Sequence, residues 1–501
     1  MIKEIKKIAT SVQLGLQLAK MNSTDEIKKN LAAHKAAKLL SENSGFLLKI
    51  GQYLGSSPDA HEEIQALSSA SLSDSLEFSI IEQILLSEYK IPLEKLFNHI
   101  EPIGHIASIS QVHQATTTSE EKIALKIKLP EIDNQMRSWI KLLGYIPSAG
   151  PVKKWDIQFS DFKKEISTCL LNELDFPSEQ KKIKQINLLC QNTTWINSPV
   201  PLDLYSTANI LAMSWMDGVS FKEVQKQNEV KRRYHADNLI RFYIKSIFQW
   251  NFYQADPNPG NFLFEDDCLN IIDAGSFTKI SKNDAANLSL LILQKNLDSQ
   301  QILSILVALG FDASKLQKIQ NHLIDLISIL TEPFRSNEFN ILNWDAKHRI
   351  DQLLGDNKWW FRSSGPASLF PLMRSFGLFT RLVASLNSNS NWNLLFQEVF
   401  ASVKIEPISN FIKINIQTEI SRFISINVKD EDDIELVSMQ IPIHSETKFE
   451  EIIPEDILEK LKLEKIQKEK LNFDMQSRTD TPFTLFEYQS KSRKVIVRIV
   501  T

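Results

Sequence analysis

Two apolar periods run along this chain and predict its elements. Between Glu121 and Leu129, Leu125, Ile127 and Leu129 alternate with Lys126 and Lys128, a period of two that predicts a strand stopped by Pro130. Strands are also predicted for Trp195 to Pro201 and Ile210 to Trp215, with Met216-Asp217-Gly218 as a hinge-like connector after them. Helical spacing predicts Ser79 to Tyr89, a long region from Ile157 to Cys190, and a strong helix over Tyr234 to Trp250. Within the long region, Pro177 starts or kinks a helix and puts Glu179 in its first turn. Phe97 to Ala115 mixes short apolar runs with Gly104, Ser108 and Ser110. Past Gly275 the expectation is helical: Asn283 to Leu297, Ser299 to Leu309, Ala313 to Leu330 and Pro371 to Leu386. Strands followed by helices, with a connector between, describe a two-lobed α+β architecture.

Both ends differ from this middle. Ile2, Ile5, Ile8, Val12, Leu14, Leu16 and Leu18 predict an amphipathic helix with a basic start, packed on its own protein or lying on a membrane. Residues from about 24 to 70 read as further helices. After Pro407, Arg422 to Asn427 and Ile434 to Ile441 flank a charged turn, followed by a helix over Ile457 to Leu471. Strands around Phe483 to Tyr488 and Lys494 to Val500 complete a small α+β unit without a motif.

Composition narrows the classes. Hydrophobic residues at 43% and charged residues at 24% are ordinary for a chain with a packed core. A net charge of −4 points neither to nucleic acid nor to bulk attraction to anionic lipid. Cys169, Cys190 and Cys268 form no CxxC pair, so a reducing compartment is expected. No HExxH is present, and no apolar run approaches the length of a spanning helix or a signal peptide. The expected location is cytoplasmic, with peripheral contact to the inner membrane as an open option.

Candidate chemistry concentrates in Tyr253-Gln254-Ala255-Asp256-Pro257-Asn258-Pro259-Gly260-Asn261 and in Asp273-Ala274-Gly275. Between them lie two short apolar runs, Phe262 to Phe264 and Leu269 to Ile272. An aspartate, an asparagine a few residues on, and a second aspartate after a hairpin can hold a nucleotide and its metal. Mg²⁺ prefers hard oxygens, which Asn261 and Asp273 supply, leaving Asp256 to face the phosphoryl acceptor. A proline-rich surface turn is the other reading of the same loop. Lys126, on a strand just after a small-residue loop, suits the α/β-phosphates; a solvent-facing strand lysine is its alternative. Glu179, on a helix after that strand, is its expected ion-pair partner.

Taken together, these residues resemble the UbiB/ADCK (AarF-type) atypical protein-kinase-like family. Lys49-Ile50-Gly51-Gln52 is similar to its KxGQ signature, and His105 to His113 resembles its alanine-rich nucleotide loop. Glu173-Leu174-Asp175 matches its ExD motif, and Lys126, Glu179, Asp256, Asn261 and Asp273 match its strand lysine, helix glutamate, catalytic aspartate and two metal ligands. Departures are clear: the nucleotide loop keeps one alanine, Ala107, Ser110 stands where a glycine is usual, and Ala274 replaces the phenylalanine after Asp273.

The resemblance implies a two-lobed protein-kinase-like fold. An N-terminal helical extension would cover residues 1–75, the N-lobe 76–217, the C-lobe 218–405 and an appendage 406–501. It further implies ATP or ADP with Mg²⁺, nucleotide contacts from Ala107, Ser108, Lys126, Glu179 and Met216, and gating of the cleft by Lys49, Gln52, Glu173 and Asp175. The implied function is an ATPase in isoprenoid-quinone (ubiquinone) biosynthesis or lipid handling, with a quinone-precursor lipid as candidate partner. The alternatives are a non-catalytic nucleotide-sensing scaffold or lipid chaperone, and a true protein kinase, which a covered cleft disfavours.

Overall fold

The protein is described by a computed structural model covering residues 30–36, 38, 75–106, 109–130, 132–134, 136–137, 167–168, 171–191, 193–401, 423–429, 435–442, 465–477, 482–489 and 494–500. These fall into two compact units, one up to residue 401 and one from 423 onward. Apart from 30–36 and 38, the expected N-terminal extension lies outside the described residues.

In the first unit an antiparallel sheet is built from β1 (Phe97–Ile100), β2 (His105–Ile106), β3 (Ser110–Thr117), β4 (Lys122–Lys128) and β6 (Ile210–Ser214), in the order β1-β3-β4-β6 with β2 beside β3. Helix α1 (Phe78–Tyr89) sets Ile81 and Leu85 into one face, where Phe97, Ala115, Leu125, Ile127, Ile210 and Ala212 form the core. Period two then sends Lys126 and Lys128 to the other face. They are not the solvent-facing lysines of the alternative reading: at 7% and 9% exposure both are buried. Helix α2 (Phe176–Cys190) covers that face, its Phe176 ring 5.6 Å from the Lys126 ammonium and 5.3 Å from that of Lys128.

Asp175 caps α2 by accepting from the Ser178 amide, and Pro177 occupies the first turn. The expected helical region therefore breaks at Asp175, and a fresh helix presents Glu179 one turn in.

The coil Trp215–Gly218 leads from this lobe into the second. Gly218 has φ +135°, a conformation open to glycine and costly for other residues. Short strands follow: β5 (Ile196–Asn197) pairs in parallel with β10 (Leu269–Ile271), which pairs antiparallel with β9 (Phe262–Phe264), and β9 with β7 (Val219–Ser220). A separate ribbon joins β8 (Phe252–Gln254) to β11 (Phe277–Lys279).

The body of this lobe is helical. Helix α3 (Phe221–Val224) is followed by the long α4 (Glu229–Phe248), whose buried Phe242, Tyr243 and Phe248 form its centre. Tyr243 stacks on Phe379 of a later helix at 4.1 Å between ring centroids. Helices α5 (Lys282–Leu293) and α6 (Ser299–Ala308) come next.

The single helix expected over Ala313 to Leu330 is two, α7 (Ala313–Gln317) and α8 (Leu323–Arg335), separated by a 3₁₀ turn at Gln320–His322. Asn321 and His322 have low helix propensity, which is where the chain gives way. Then come α9 (Ala346–Leu354), α10 (Lys358–Ser364), α11 (Phe370–Ala384) and α12 (Trp392–Phe400). The result is a mixed α+β, kinase-like fold. Among the described residues no helix is long and apolar enough to cross a membrane.

The second unit has a four-stranded antiparallel sheet in the order β13-β12-β15-β14, formed by β12 (Phe423–Lys429), β13 (Glu435–Pro442), β14 (Phe483–Gln489) and β15 (Lys494–Val500). Helix α13 (Lys465–Ser477) lies between β13 and β14 in sequence; it runs six residues past the expected Leu471, and 457–464 of the expected helix lie outside the described residues.

Candidate functional site

Lys126 extends from β4 across to α2 and to the segment after β10. Its ammonium donates to Glu179 Oε1 at 2.7 Å and to Asp273 Oδ2 at 3.0 Å. Glu179 is 2% exposed and Asp273 32%, so the contact runs from the interior to the cleft. Burial alone would drive the ammonium toward its neutral form, yet Asp273 and Glu179 hold its pKa above the ordinary lysine value. Burial also pushes the Glu179 carboxyl up, to about 7, against the downward pull of Lys126. One cation between two carboxylates in a partly desolvated place is held by charge on all sides.

Asp273 is oriented from three directions. Its Oδ1 accepts from the Gly275 amide at 2.9 Å, its Oδ2 from Lys126, and its backbone carbonyl from Gln254 Nε2 at 3.1 Å. Ala274 is buried, and the next residue, Gly275, gives its carbonyl to Lys182 Nζ at 2.6 Å.

Asp256 follows β8, and its carbonyl accepts from Asn261 Nδ2 at 3.0 Å. That bond commits the amide nitrogen and leaves Asn261 Oδ1 as the atom available for a metal. Arg374 of α11, its side chain 9% exposed, places Nη2 3.6 Å from Asp256 Oδ1 and donates from Nη1 to the Ala255 carbonyl at 3.5 Å. The neighbouring Ser375 donates to the Gln254 carbonyl at 2.7 Å and accepts from the Tyr243 hydroxyl at 3.1 Å. Ser276 donates to Gln254 Oε1. The loop is thus tied from beneath by α4 and α11.

Of the sequence candidates, Lys126, Glu179 and Asp273 meet directly, and Asp256 and Asn261 meet each other. Glu173 is half-buried ahead of α2, and its charge contributes to the rise in Glu179. Asp175 is exposed and serves as the α2 cap, while Met216 is half-buried in the inter-lobe coil. Lys49, Gln52, Ala107 and Ser108 lie outside the described residues. Sequence reasoning missed Lys182, Arg374, Gln254 and Ser375. Lys182 could have been found, since it lies three positions after Glu179 and shares its helical face. Arg374 is 119 positions from Ala255, and no local pattern announces it.

Strand β3 has a polar support of its own. His113 Nδ1 lies 2.7 Å from the Glu101 carbonyl, which can only accept, so Nδ1 carries the proton and Nε2 accepts from Gln111 Nε2 at 3.0 Å. Gln111 in turn bonds the Leu76 amide and carbonyl at 2.9 and 3.3 Å. A Cβ at Gly104 would stand 2.5 Å from His113 Nε2, so the chain can pass there only as glycine.

A buried lysine shared between a helix glutamate and a loop aspartate, with an Asp–Asn loop below, defines a kinase-like site. Residues 71–306 match the ABC1 atypical kinase-like domain, and that stretch carries the kinase-like domain of the UbiB/ADCK (AarF-type) family. The chain is 22% identical over 373 residues to the atypical kinase COQ8, mitochondrial, of Saccharomyces cerevisiae, covering 72% of this chain and 74% of that one. It is 30% identical over 280 residues to an aarF domain-containing protein kinase of Arabidopsis thaliana, covering 52% of this chain and 38% of that protein. Across the first three curated relatives, the match spans 38–59% of their length. A solved Mycobacterium tuberculosis protein, Rv3197 in complex with erythromycin, shares the fold with a TM-score of 0.51 at 17% identity, over 75% of this chain and 98% of that one.

Proposed function

We propose that this protein binds a Mg²⁺–adenine nucleotide between its lobes and hydrolyses ATP in support of isoprenoid-quinone biosynthesis or lipid handling. The observation that carries the nucleotide reading is the Lys126 contact to both Glu179 and Asp273. A buried cation held at the cleft edge by a carboxylate on either side is placed to exchange one of them for phosphate oxygens. In that exchange Glu179 would keep Lys126 in position, and Asp273 would be one of the residues to hold the metal.

The donor set fits Mg²⁺. Asp273 brings a carboxylate and Asn261 an amide oxygen, and among the described residues no group of three or more His, Cys, Asp or Glu side chains could hold an ion. Mg²⁺ commonly accepts one or two protein oxygens and completes its shell with phosphates and water. When bound it would neutralise charge that develops on the phosphates. Asp256, steadied by Arg374 and by its own backbone, would orient the attacking water. Lys49, Gln52, Glu173 and Asp175 keep the gating role that the resemblance implies, and Ala107, Ser108 and Met216 the nucleotide contacts.

The test is Mg²⁺-dependent ATP hydrolysis by the purified chain, with and without vesicles containing anionic lipid, beside Asp256→Asn and Asp273→Asn. Loss of hydrolysis in both variants supports the ATPase, and vesicle stimulation supports a task at a membrane surface. Binding that needs Asp273 without turnover replaces the ATPase with a nucleotide-sensing scaffold. Absence of both overturns the proposal.

A further inference from the structure

The contacts around Asp273 close into a ring. Lys126 binds Glu179; one helical turn on, Lys182 binds the Gly275 carbonyl at 2.6 Å; the Gly275 amide binds Asp273 Oδ1; and Asp273 Oδ2 returns to Lys126. The backbone of Gly275 also abuts α2 directly, since a Cβ there would lie 3.5 Å from the Glu179 carboxylate. Ala274, the residue between Asp273 and Gly275, is buried, and at this position only a methyl group is available for apolar packing of the segment.

We infer that Lys182 is the positioning residue that locks Asp273 to helix α2, so that the metal carboxylate and the Lys126–Glu179 pair move as one body. The inference rests on the reading of Asp273 as a metal ligand and goes beyond it. A positive charge against a carbonyl makes a charge-assisted hydrogen bond, stronger than a neutral one. Lys182 is also half-buried, where water competes less for its ammonium. Without that bond, Gly275 keeps its amide contact to Asp273 and its packing against Glu179.

The experiment compares the full chain carrying Lys182→Met, Lys182→Gln and Lys182→Arg with Lys184→Met, a change at an exposed lysine of the same helix that pairs with Asp203. ADP affinity is measured with Mg²⁺ and with a chelator, and hydrogen exchange is followed over Asp273 to Phe277. Removing the donor is expected to cut the Mg²⁺ enhancement of ADP affinity by on the order of tenfold, in keeping with the loss of one hydrogen bond to a charged group. Metal-free affinity should hold, and exchange at the Gly275 amide should quicken. Lys182→Arg restores both, and Lys184→Met changes neither.

Wild-type behaviour in Lys182→Met and Lys182→Gln, or equal losses in Lys184→Met, overturns the inference. If the unmodified chain shows no Mg²⁺ enhancement at all, it is the metal reading of Asp273 that fails. The exchange rates then decide the clamp alone.

Discussion

Lys126 and Asp256 each face a charge of opposite sign, but the two pairs differ in distance and setting. Lys126 lies 2.7 Å from Glu179, with side chains 9% and 2% exposed. Asp256 lies 3.6 Å from Arg374, with Asp256 17% exposed. On the lysine side, charge dominates the geometry: three ionisable groups hold one another, with the Gly275 amide as a further donor to Asp273. On the aspartate side the backbone is anchored as well, through the Gln254, Ala255, Asp256 and Asp273 carbonyls, and the Asp256 carboxylate is held only by a longer contact. On the proposed function, the lysine side would pass its cation from carboxylate to phosphate. The aspartate side would hold a loop in place beneath the one carboxylate that is proposed to act.

The sharpest break of that contrast is Lys126→Ala. It leaves Glu179 and Asp273 as neighbouring carboxylates with their cation gone and Glu179 fully enclosed. Removing one partner of a buried ion pair costs about 3–5 kcal/mol. The urea midpoint should therefore fall steeply, and ADP binding should vanish with it. A variant that unfolds at the wild-type midpoint would show that the pair carries no structural weight.

On the aspartate side the expected loss is of rate rather than stability. Arg374→Met removes a guanidinium from Asp256 and from the Ala255 carbonyl, while Ser375 keeps its hold on Gln254. Loss of a charged hydrogen-bonding partner, worth about 1.5–3 kcal/mol, corresponds to about 10- to 100-fold in turnover. Steady-state hydrolysis should drop by that factor while ADP affinity stays within about twofold. If affinity falls with turnover, Arg374 supports the nucleotide pocket and not the acting carboxylate.

How much of this was legible in the sequence follows the same division. The lysine side is local: alternation along β4 fixes the face that Lys126 shares with Lys128, and Pro177 fixes the start of the helix that carries Glu179. Asp256, Asn261 and Asp273 were legible because a short loop and one hairpin separate them. What holds the aspartate loop was not legible, because Arg374 and Ser375 arrive from a distant helix whose own pattern speaks only of its packing.

The strands β1 and β3 were hidden for a different reason. Gln111 and His113 lie on the core face of β3, 1% and 0% exposed. A buried, hydrogen-bonded polar pair breaks the apolar alternation by which a strand is recognised. The division of 313–335 into two helices was missed because its apolar positions keep a helical period through the break.

That polar pair provides the smallest of the expected effects, and it tests whether the lysine lobe has a weak point away from its ion pairs. Burial holds the His113 pKa below its ordinary value of 6.5, with the Glu101 carbonyl opposing this and His105 adding to it. A histidine whose folded pKa is depressed binds fewer protons folded than unfolded. Its contribution to stability is therefore present above about pH 6.5 and is lost as pH falls through that value toward and past the folded one. Protonation would also turn Nε2 into a donor facing the donor Nε2 of Gln111, so the bond that anchors Leu76 through Gln111 would be opposed from below. The urea midpoint of the intact chain should therefore decline between pH 7.5 and 5.5 more than that of His113→Asn. The difference should stay within about 1 kcal/mol, the usual worth of one neutral hydrogen bond. Equal slopes in the two proteins would mean that His113 is as easily charged folded as unfolded.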